Sequence, residues 1–248
     1  MSGEELGEQS IRTVARQDLA EHAQAIAHGP LGPGSRLLYQ SFRVSIRTAC
    51  RLYFRIEVVD AHNIPATGPF LLAPVHRSNL DFALVSNVTS RHMRYMGKSS
   101  VWKVHWAISA FFNALGGFPV ERGRVDRDTL RIAEEVLGNG EPLVIFPEGA
   151  RQAGPLVQPL FDGPAFIAAR SGAPIVPLGV GGSATAMPIG KRFIRPKKIV
   201  LVVGEPIPAP AKSAKGRVPR GAVQELTQLL SDRIQVLYDE AERLAALG

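Results

Sequence analysis

The chain has 248 residues, 45% of them apolar and 21% charged, which excludes a disordered or fibrous polymer and suits a folded globular protein with a sizeable core. A single cysteine, Cys50, rules out an intrachain disulfide and fits a reducing compartment. The formal charge of +7 favours anionic partners: nucleic acid, an anionic lipid surface or a phosphorylated substrate.

Residues 1–35 form a polar N-terminal extension that ends in the glycine/proline cluster Gly29-Pro-Leu-Gly-Pro-Gly34, a linker ahead of the folded region. This stretch has no apolar core of the kind a secretory signal needs, so none is expected. Residues 36–56 follow as an amphipathic helix. Arg43, Arg47, Arg51 and Arg55 recur every fourth residue, and Leu38, Phe42, Ile46, Cys50 and Tyr53 recur beside them with no acidic residue in between. Two interpretations fit that stripe: a surface helix packed on its own core, or a helix lying on an anionic membrane.

From residue 57 to 248 short apolar runs alternate with helical patterns. The spacing predicts strands at Ile56–Val59, Phe70–Val75, Met93–Met96, Gly117–Val120, Leu143–Phe146, Ile175–Val180 and Ile199–Val203. Helices are predicted at Ser78–Val88, Trp102–Ala114, Asp126–Leu137 and Pro164–Arg170, with a long closing helix over 220–246. Strands separated by helices argue for an α/β fold with a mostly parallel central sheet flanked by helices. The uncharged stretch Val104–Val120 contains His105, Asn113, two glycines and a proline and falls short of the roughly 18 apolar residues a spanning helix needs, so the chain is not expected to cross a bilayer.

Four blocks carry candidate chemistry. Val75-His76-Arg77-Ser78-Asn79-Leu80-Asp81 leaves a predicted strand and opens a helix, which places His76 at a strand's C-terminal end, where ligands bind in open α/β sheets. A carboxylate on one imidazole nitrogen would leave the other as a general base; a satisfied loop histidine and a helix-dipole aspartate are the plainer alternative. Gly116 to Gly123 releases Arg122 at another strand end. Phe146-Pro147-Glu148-Gly149-Ala150-Arg151 exposes an acid and an arginine around a glycine that permits positive φ. Ala173 to Gly179 is a strand with two prolines, and Pro177 implies an edge strand or a break facing a pocket.

In order and spacing these blocks resemble the glycerol-phosphate and lysophosphatidate acyltransferases marked by a His-x4-Asp motif, over roughly residues 70–180. The resemblance implies that His76 and Asp81 are catalytic, deprotonating a glycerol hydroxyl that attacks an acyl thioester directly. It implies that Arg122 and Arg151 hold the acceptor's phosphate, that Glu148 places its hydroxyls, and that Gly149, Lys98 and Pro177 line the substrate site. It further implies acyl-CoA or acyl-carrier protein as donor, no cofactor beyond that co-substrate and no metal. The expected acceptor is lysophosphatidate, and the expected place is the cytoplasmic face of the cell membrane, peripheral or monotopic, with Arg43, Arg47, Arg51 and Arg55 in contact with an anionic membrane. Val75 and Ala150 depart from the family's usual Asn and Thr or Ser, and both bear on acceptor preference.

Two further patterns carry less. Gly179 to Ala184 matches a loose dinucleotide pattern in the wrong context. The basic run Lys191 to Lys198 suits a solvated turn, anionic lipid or coenzyme phosphates; nucleic acid is not expected, since it leaves the His-Asp and Glu-Arg blocks without a purpose.

Overall fold

A computed structural model describes residues 33–98, 116–120, 127–191, 193–211 and 218–248. Its core is a seven-stranded sheet: β1 (Glu57–Val59), β2 (Leu71–Pro74), β3 (Arg94–Lys98), β4 (Gly117–Val120), β5 (Leu143–Val144), β6 (Ile175–Gly181) and β7 (Val200–Val203). The order across the sheet is β1-β7-β6-β2-β5-β3-β4, and every pairing is parallel except β6 with β7. Central strands of such a sheet are covered on both faces and should be apolar throughout. Leu71, Leu72, Leu143, Val144, Ile175, Val176 and Leu178 are accordingly all fully buried.

The helices are α1 (Pro33–Phe54), a short α2 (Asp81–Leu84) continued by the 3-10 turn Val85–Asn87, α3 (Arg127–Gly138), α4 (Gly163–Ser171), a one-turn α5 (Ser183–Ala186) and α6 (Arg220–Ala246). Helix α6 buries Val223, Leu226, Leu230, Ile234 and Ala241 along one face, the period expected for a helix laid on a sheet. It crosses β6 and β7 and also touches α4, which packs in turn against α3. The predicted helix at Trp102–Ala114 lies outside the described residues.

The glycine-rich end of β6 serves this crossing. A Cβ on Gly179 would sit 2.2 Å from the Leu237 carbonyl oxygen, and one on Gly181 would sit 2.1 Å from that of Ala241. Two residues of strand and four of helix cover nearly the same length, so both contacts form at once. The dinucleotide-like pattern is therefore a helix-packing device.

Of the two places expected for Pro177, an edge strand or a local break, the structure shows the break. The proline lies in a central strand, opposite Ala73 of β2, and no edge runs past it. Its missing N–H points toward β7, where the ladder slips. Leu178 pairs with Val203, yet Ile175 pairs with Ile207, so three steps on β6 face four on the returning chain. At this bulge only Gly204 N–H donates, to the Pro177 carbonyl at 2.9 Å, and nothing needs a donor from proline.

At the sheet edge away from the strand C-termini, Glu141 accepts from Arg94 Nε at 2.8 Å and lies 3.7 Å from His92 Nδ1. Burial alone would push this carboxyl up; the hydrogen bonds from His92 and Arg94 overcome it and bring it down to about 2.

Two outcomes follow from this packing. Gly179→Ala should cost about 3 kcal/mol or more, because a backbone carbonyl cannot yield as a side chain can, and lower the melting midpoint by at least ~5 °C. A folded carboxyl held below its unfolded value of about 4.3 stabilises above that pH and ceases to do so as pH falls toward 2. Glu141→Gln should therefore cost about 1–3 kcal/mol at pH 7 in urea unfolding, with the difference from wild type shrinking below pH 4.

Candidate active site

Strand β2 ends at Pro74, and the chain turns through Val75 to Ser78 before Asp81 starts α2. That turn is built around one carboxylate oxygen. Asp81 Oδ2 accepts from Arg77 N–H at 2.7 Å, from Ser78 N–H at 2.8 Å and from His76 Nδ1 at 2.9 Å. The five-residue spacing thus closes a loop on itself, with Asp81 wholly buried and His76 only 3% exposed.

With Asp81 as a carboxylate, this contact selects one tautomer. An ionised carboxylate only accepts, so Nδ1 carries the proton, and in the neutral ring Nε2 keeps a lone pair. No hydrogen bond engages Nε2 among the described residues. The ring is held from two sides: Phe146 lies at 4.2 Å centroid distance, tilted 33°, and Phe82 meets it edge-on at 5.5 Å. Such contacts fix the direction in which Nε2 points.

A second layer joins this turn to the loop after β5. Arg77, 1% exposed, donates from Nη1 to both oxygens of Glu148 at 2.9 and 2.8 Å, and from Nη2 to the Leu156 carbonyl at 3.1 Å. Its guanidinium lies over the Tyr238 ring of α6 at 4.8 Å. Burial, then the Glu242 charge, raises the Tyr238 phenol, so the face offered to Arg77 stays neutral. Glu148 Oε2 also accepts from His76 N–H at 2.9 Å, and Oε1 from Gln158 N–H at 3.0 Å.

Each predicted residue can now be placed. His76 and Asp81 are brought together as the pattern implied. Glu148 is not open to a substrate hydroxyl: both oxygens are taken by Arg77 and backbone N–H groups, so it braces His76 from behind. Gly149 adopts φ +67, and what approaches it is the ring of Phe161, 2.5 Å from where a Cβ would stand. Arg151 is half-buried on the same loop, and no ion pair or hydrogen bond engages it among the described residues. Lys98 closes β3 at the same sheet edge as His76. Arg122 lies outside the described residues. Pro177 is buried in the sheet, its ring 2.8 Å from a Cβ placed on Gly204, and belongs to packing.

The helix arginines need correction too. Arg43 is buried, donating to the carbonyls of Arg91 and Thr89 at 2.9 and 2.8 Å, and Arg47 donates to Thr89 at 3.1 Å. Carbonyls beyond a helical turn lack intrahelical donors, and guanidinium groups supply them. Burial and then the charges of Arg43 and Arg51 pull the Arg47 guanidinium below its usual value. Arg55 reaches the Gly248 carbonyl at 2.8 Å and Arg51 is exposed. Half of the supposed membrane stripe faces the protein.

Sequence reasoning missed Arg77, Phe82 and Phe146 as parts of the site. A charged residue caught between a motif's His and Asp, at a strand end, was the available signal for Arg77.

Comparison with known proteins agrees with the fold and the blocks. The family model described as Acyltransferase matches residues 55–181, which contain all four. A 1-acyl-sn-glycerol-3-phosphate acyltransferase of Bacillus subtilis (strain 168) is 25% identical over 209 residues, covering 84% of this chain and 100% of that protein. One of Chlamydomonas reinhardtii is 27% identical over 168 residues, 65% of this chain and 49% of the algal protein. The crystal structure of the 1-acyl-sn-glycerophosphate (LPA) acyltransferase PlsC from Thermotoga maritima superposes with a TM-score of 0.64 at 22% identity, covering 92% of this chain and 97% of that one. The last likeness is one of fold.

Removing one member of the buried ion pair should expose its worth. Arg77→Met leaves Glu148 an uncompensated buried charge and should cost about 3–5 kcal/mol in urea unfolding. Adding Glu148→Gln to that variant should recover part of the loss; strictly additive losses would mean that the two side chains do not act as a pair.

Proposed function

The chain belongs to the Acyltransferase family, and from that footing we propose that it acylates the free glycerol hydroxyl of lysophosphatidate, 1-acyl-sn-glycerol 3-phosphate, from acyl-coenzyme A, giving phosphatidate. The observation that carries the proposal is the His76 Nδ1 to Asp81 Oδ2 hydrogen bond, which leaves Nε2 as the base. In this reaction Nε2 takes the hydroxyl proton as the alkoxide oxygen attacks the thioester carbonyl. The imidazolium that forms is balanced by Asp81, whose charge is held by two backbone N–H groups besides the ring. Collapse of the tetrahedral adduct breaks the C–S bond, and the proton on Nε2 passes to the departing thiolate. Ester and free coenzyme A result, with no acyl group left on the protein.

Arg151 is the cation assigned to the acceptor's phosphate, because its fork is uncommitted and stands on the loop that Glu148 anchors. Lys98, which closes β3, and Arg122, two residues after β4 in sequence, are assigned the same anion by their place in the motif order. The donor carrier, coenzyme A as against acyl-carrier protein, rests on the family resemblance alone. Placement at the cytoplasmic membrane surface is proposed because both lipids reside there. A lipid-binding protein without catalysis would have use for the arginines and none for a buried, carboxylate-oriented histidine.

The test is thiol release from palmitoyl- and oleoyl-coenzyme A with lysophosphatidate, glycerol 3-phosphate and lysophosphatidylcholine offered separately. Release should require lysophosphatidate and fall about 10²–10⁴-fold in His76→Ala, at unchanged melting midpoint. More than a tenth of wild-type turnover in that variant would remove His76 as the base. Preference for glycerol 3-phosphate would keep the chemistry and change the acceptor. Arg151→Ala should raise KM for lysophosphatidate by about tenfold or more and leave a phosphate-free monoacylglycerol unaffected; equal losses on both would reject its phosphate role.

A further inference from the structure

Helix α1 buries Arg43 and half-buries Arg47, so these two arginines are committed to the protein and a membrane contact needs other side chains. The topology shows where. Strands β6 and β2 run parallel, so Gly181 ends at the edge where His76 leaves β2. Strand β7 runs against β6 and starts there, Val200 opposite Gly181, and β1 starts beside it, Glu57 opposite Val200. The last turn of α1, which feeds β1, and the segment between α5 and β7 therefore lie on the same edge as the imidazole.

That edge carries an unusual concentration of exposed apolar side chains. Phe193 is 85% exposed and Leu52 78%, with Ile189, Ile194 and Tyr53 each near half. A single exposed apolar residue is ordinary; five on two segments that touch are not. The segments do touch: Tyr53 Oη donates to the Ile194 carbonyl at 3.0 Å. The loop is also anchored next to the chemistry, because Ser78 Oγ donates to the Met187 carbonyl at 2.9 Å, two residues from His76. Pro188 to Lys191 forms a turn, with Lys191 N–H to the Pro188 carbonyl at 3.1 Å and Gly190 at φ +80, which projects the chain beyond it.

Within the loop segment itself the charges are of one sign. Lys191, Arg195 and Lys197 are exposed, and no acidic residue occurs between Met187 and Gly204. Lys198 is excluded from this group, since it pairs with Glu57 at 3.1 Å. Apolar tips set in a basic collar match the boundary between acyl chains and anionic headgroups. They match a nucleic-acid surface less well, where isoleucines have no function.

We propose that residues 188–191 and 193–197 and the last turn of α1 form the surface that seats this protein on an anionic bilayer, with Phe193 entering the acyl region. The proposal rests on the reading of the protein as an enzyme of membrane lipids and adds which surface makes the contact. Seated this way, the sheet edge that carries His76 faces the bilayer, and a lysolipid need not leave the leaflet fully to approach it.

The experiment is flotation of the full chain with vesicles of phosphatidylglycerol and phosphatidylcholine mixed, and of phosphatidylcholine alone. Wild type should prefer the anionic vesicles. Phe193→Ser should bind them at least about tenfold more weakly, and Lys191→Glu should lose most of the anionic preference. Both variants should melt with wild type, as each side chain is exposed, and should retain turnover within about twofold on short-chain soluble substrates. Wild-type binding undiminished in both variants would overturn this surface and leave the membrane reading standing. Absence of wild-type binding to either vesicle would overturn the membrane reading and this proposal with it. A concentration-dependent dimer that Phe193→Ser dissolves, without vesicle binding, would assign the face to a second copy of the chain and overturn the proposal.

Discussion

One oxygen of Asp81 gathers three donors, and the rest of the site depends on it. A carboxylate buried without compensation is prohibitively costly, so its charge must be met by hydrogen bonds, and here two come from the backbone of the turn it closes. The third is the imidazole. Because the backbone bonds fix the carboxylate independently of the ring, the histidine is oriented by a group that has no freedom to follow it. The motif's five-residue spacing is the distance at which the first residue of a helix can return to the turn that precedes it.

The buried Arg77–Glu148 pair extends the same logic between loops. Adjacent parallel strands do not by themselves hold the loops that leave them; the chain beyond β2 and the chain beyond β5 diverge unless something joins them. Arg77 reaches Glu148 and Leu156 on one of these loops and Tyr238 on the closing helix. Glu148 answers by accepting from the His76 backbone. A hydrophobic pair of the same volume could give comparable stability, but would not bind a backbone N–H of the turn that carries His76. What the ion pair contributes beyond stability is the position of His76 relative to the β5 loop, where Arg151 stands.

Much of the architecture was legible from the apolar runs, since buried parallel strands leave little choice of side chain. Gly117–Val120 and the closing helix coincide with their predicted bounds, and the strand near Leu143 stops two residues early, at Val144. The His76–Asp81 contact was legible because both partners lie within one local turn. Glu148 was misjudged because its partner is 71 residues away, and nothing local distinguishes a carboxylate facing solvent from one facing a buried guanidinium. Pro177 stayed between two readings for a related reason: a proline in a strand signals an absent donor, and whether that absence falls at an edge or at a bulge depends on the strand opposite.

The arginines of α1 teach the same lesson about periodicity. A four-residue repeat places side chains on one face, yet it is silent about what that face meets. Guanidinium groups serve as well for the stranded carbonyls of Thr89 and Arg91 as for lipid phosphates, and the carbonyls lie within reach. Using Arg43 and Arg47 as ties to the α2 region fixes the helix rotationally, and that rotation leaves Leu52 and Arg51 outward. The outward Leu52 and Tyr53 are thus a consequence of the inward arginines: a helix pinned by its basic stripe must present another stripe to its surroundings, and here that stripe meets the loop tethered through Met187 to the turn that carries His76.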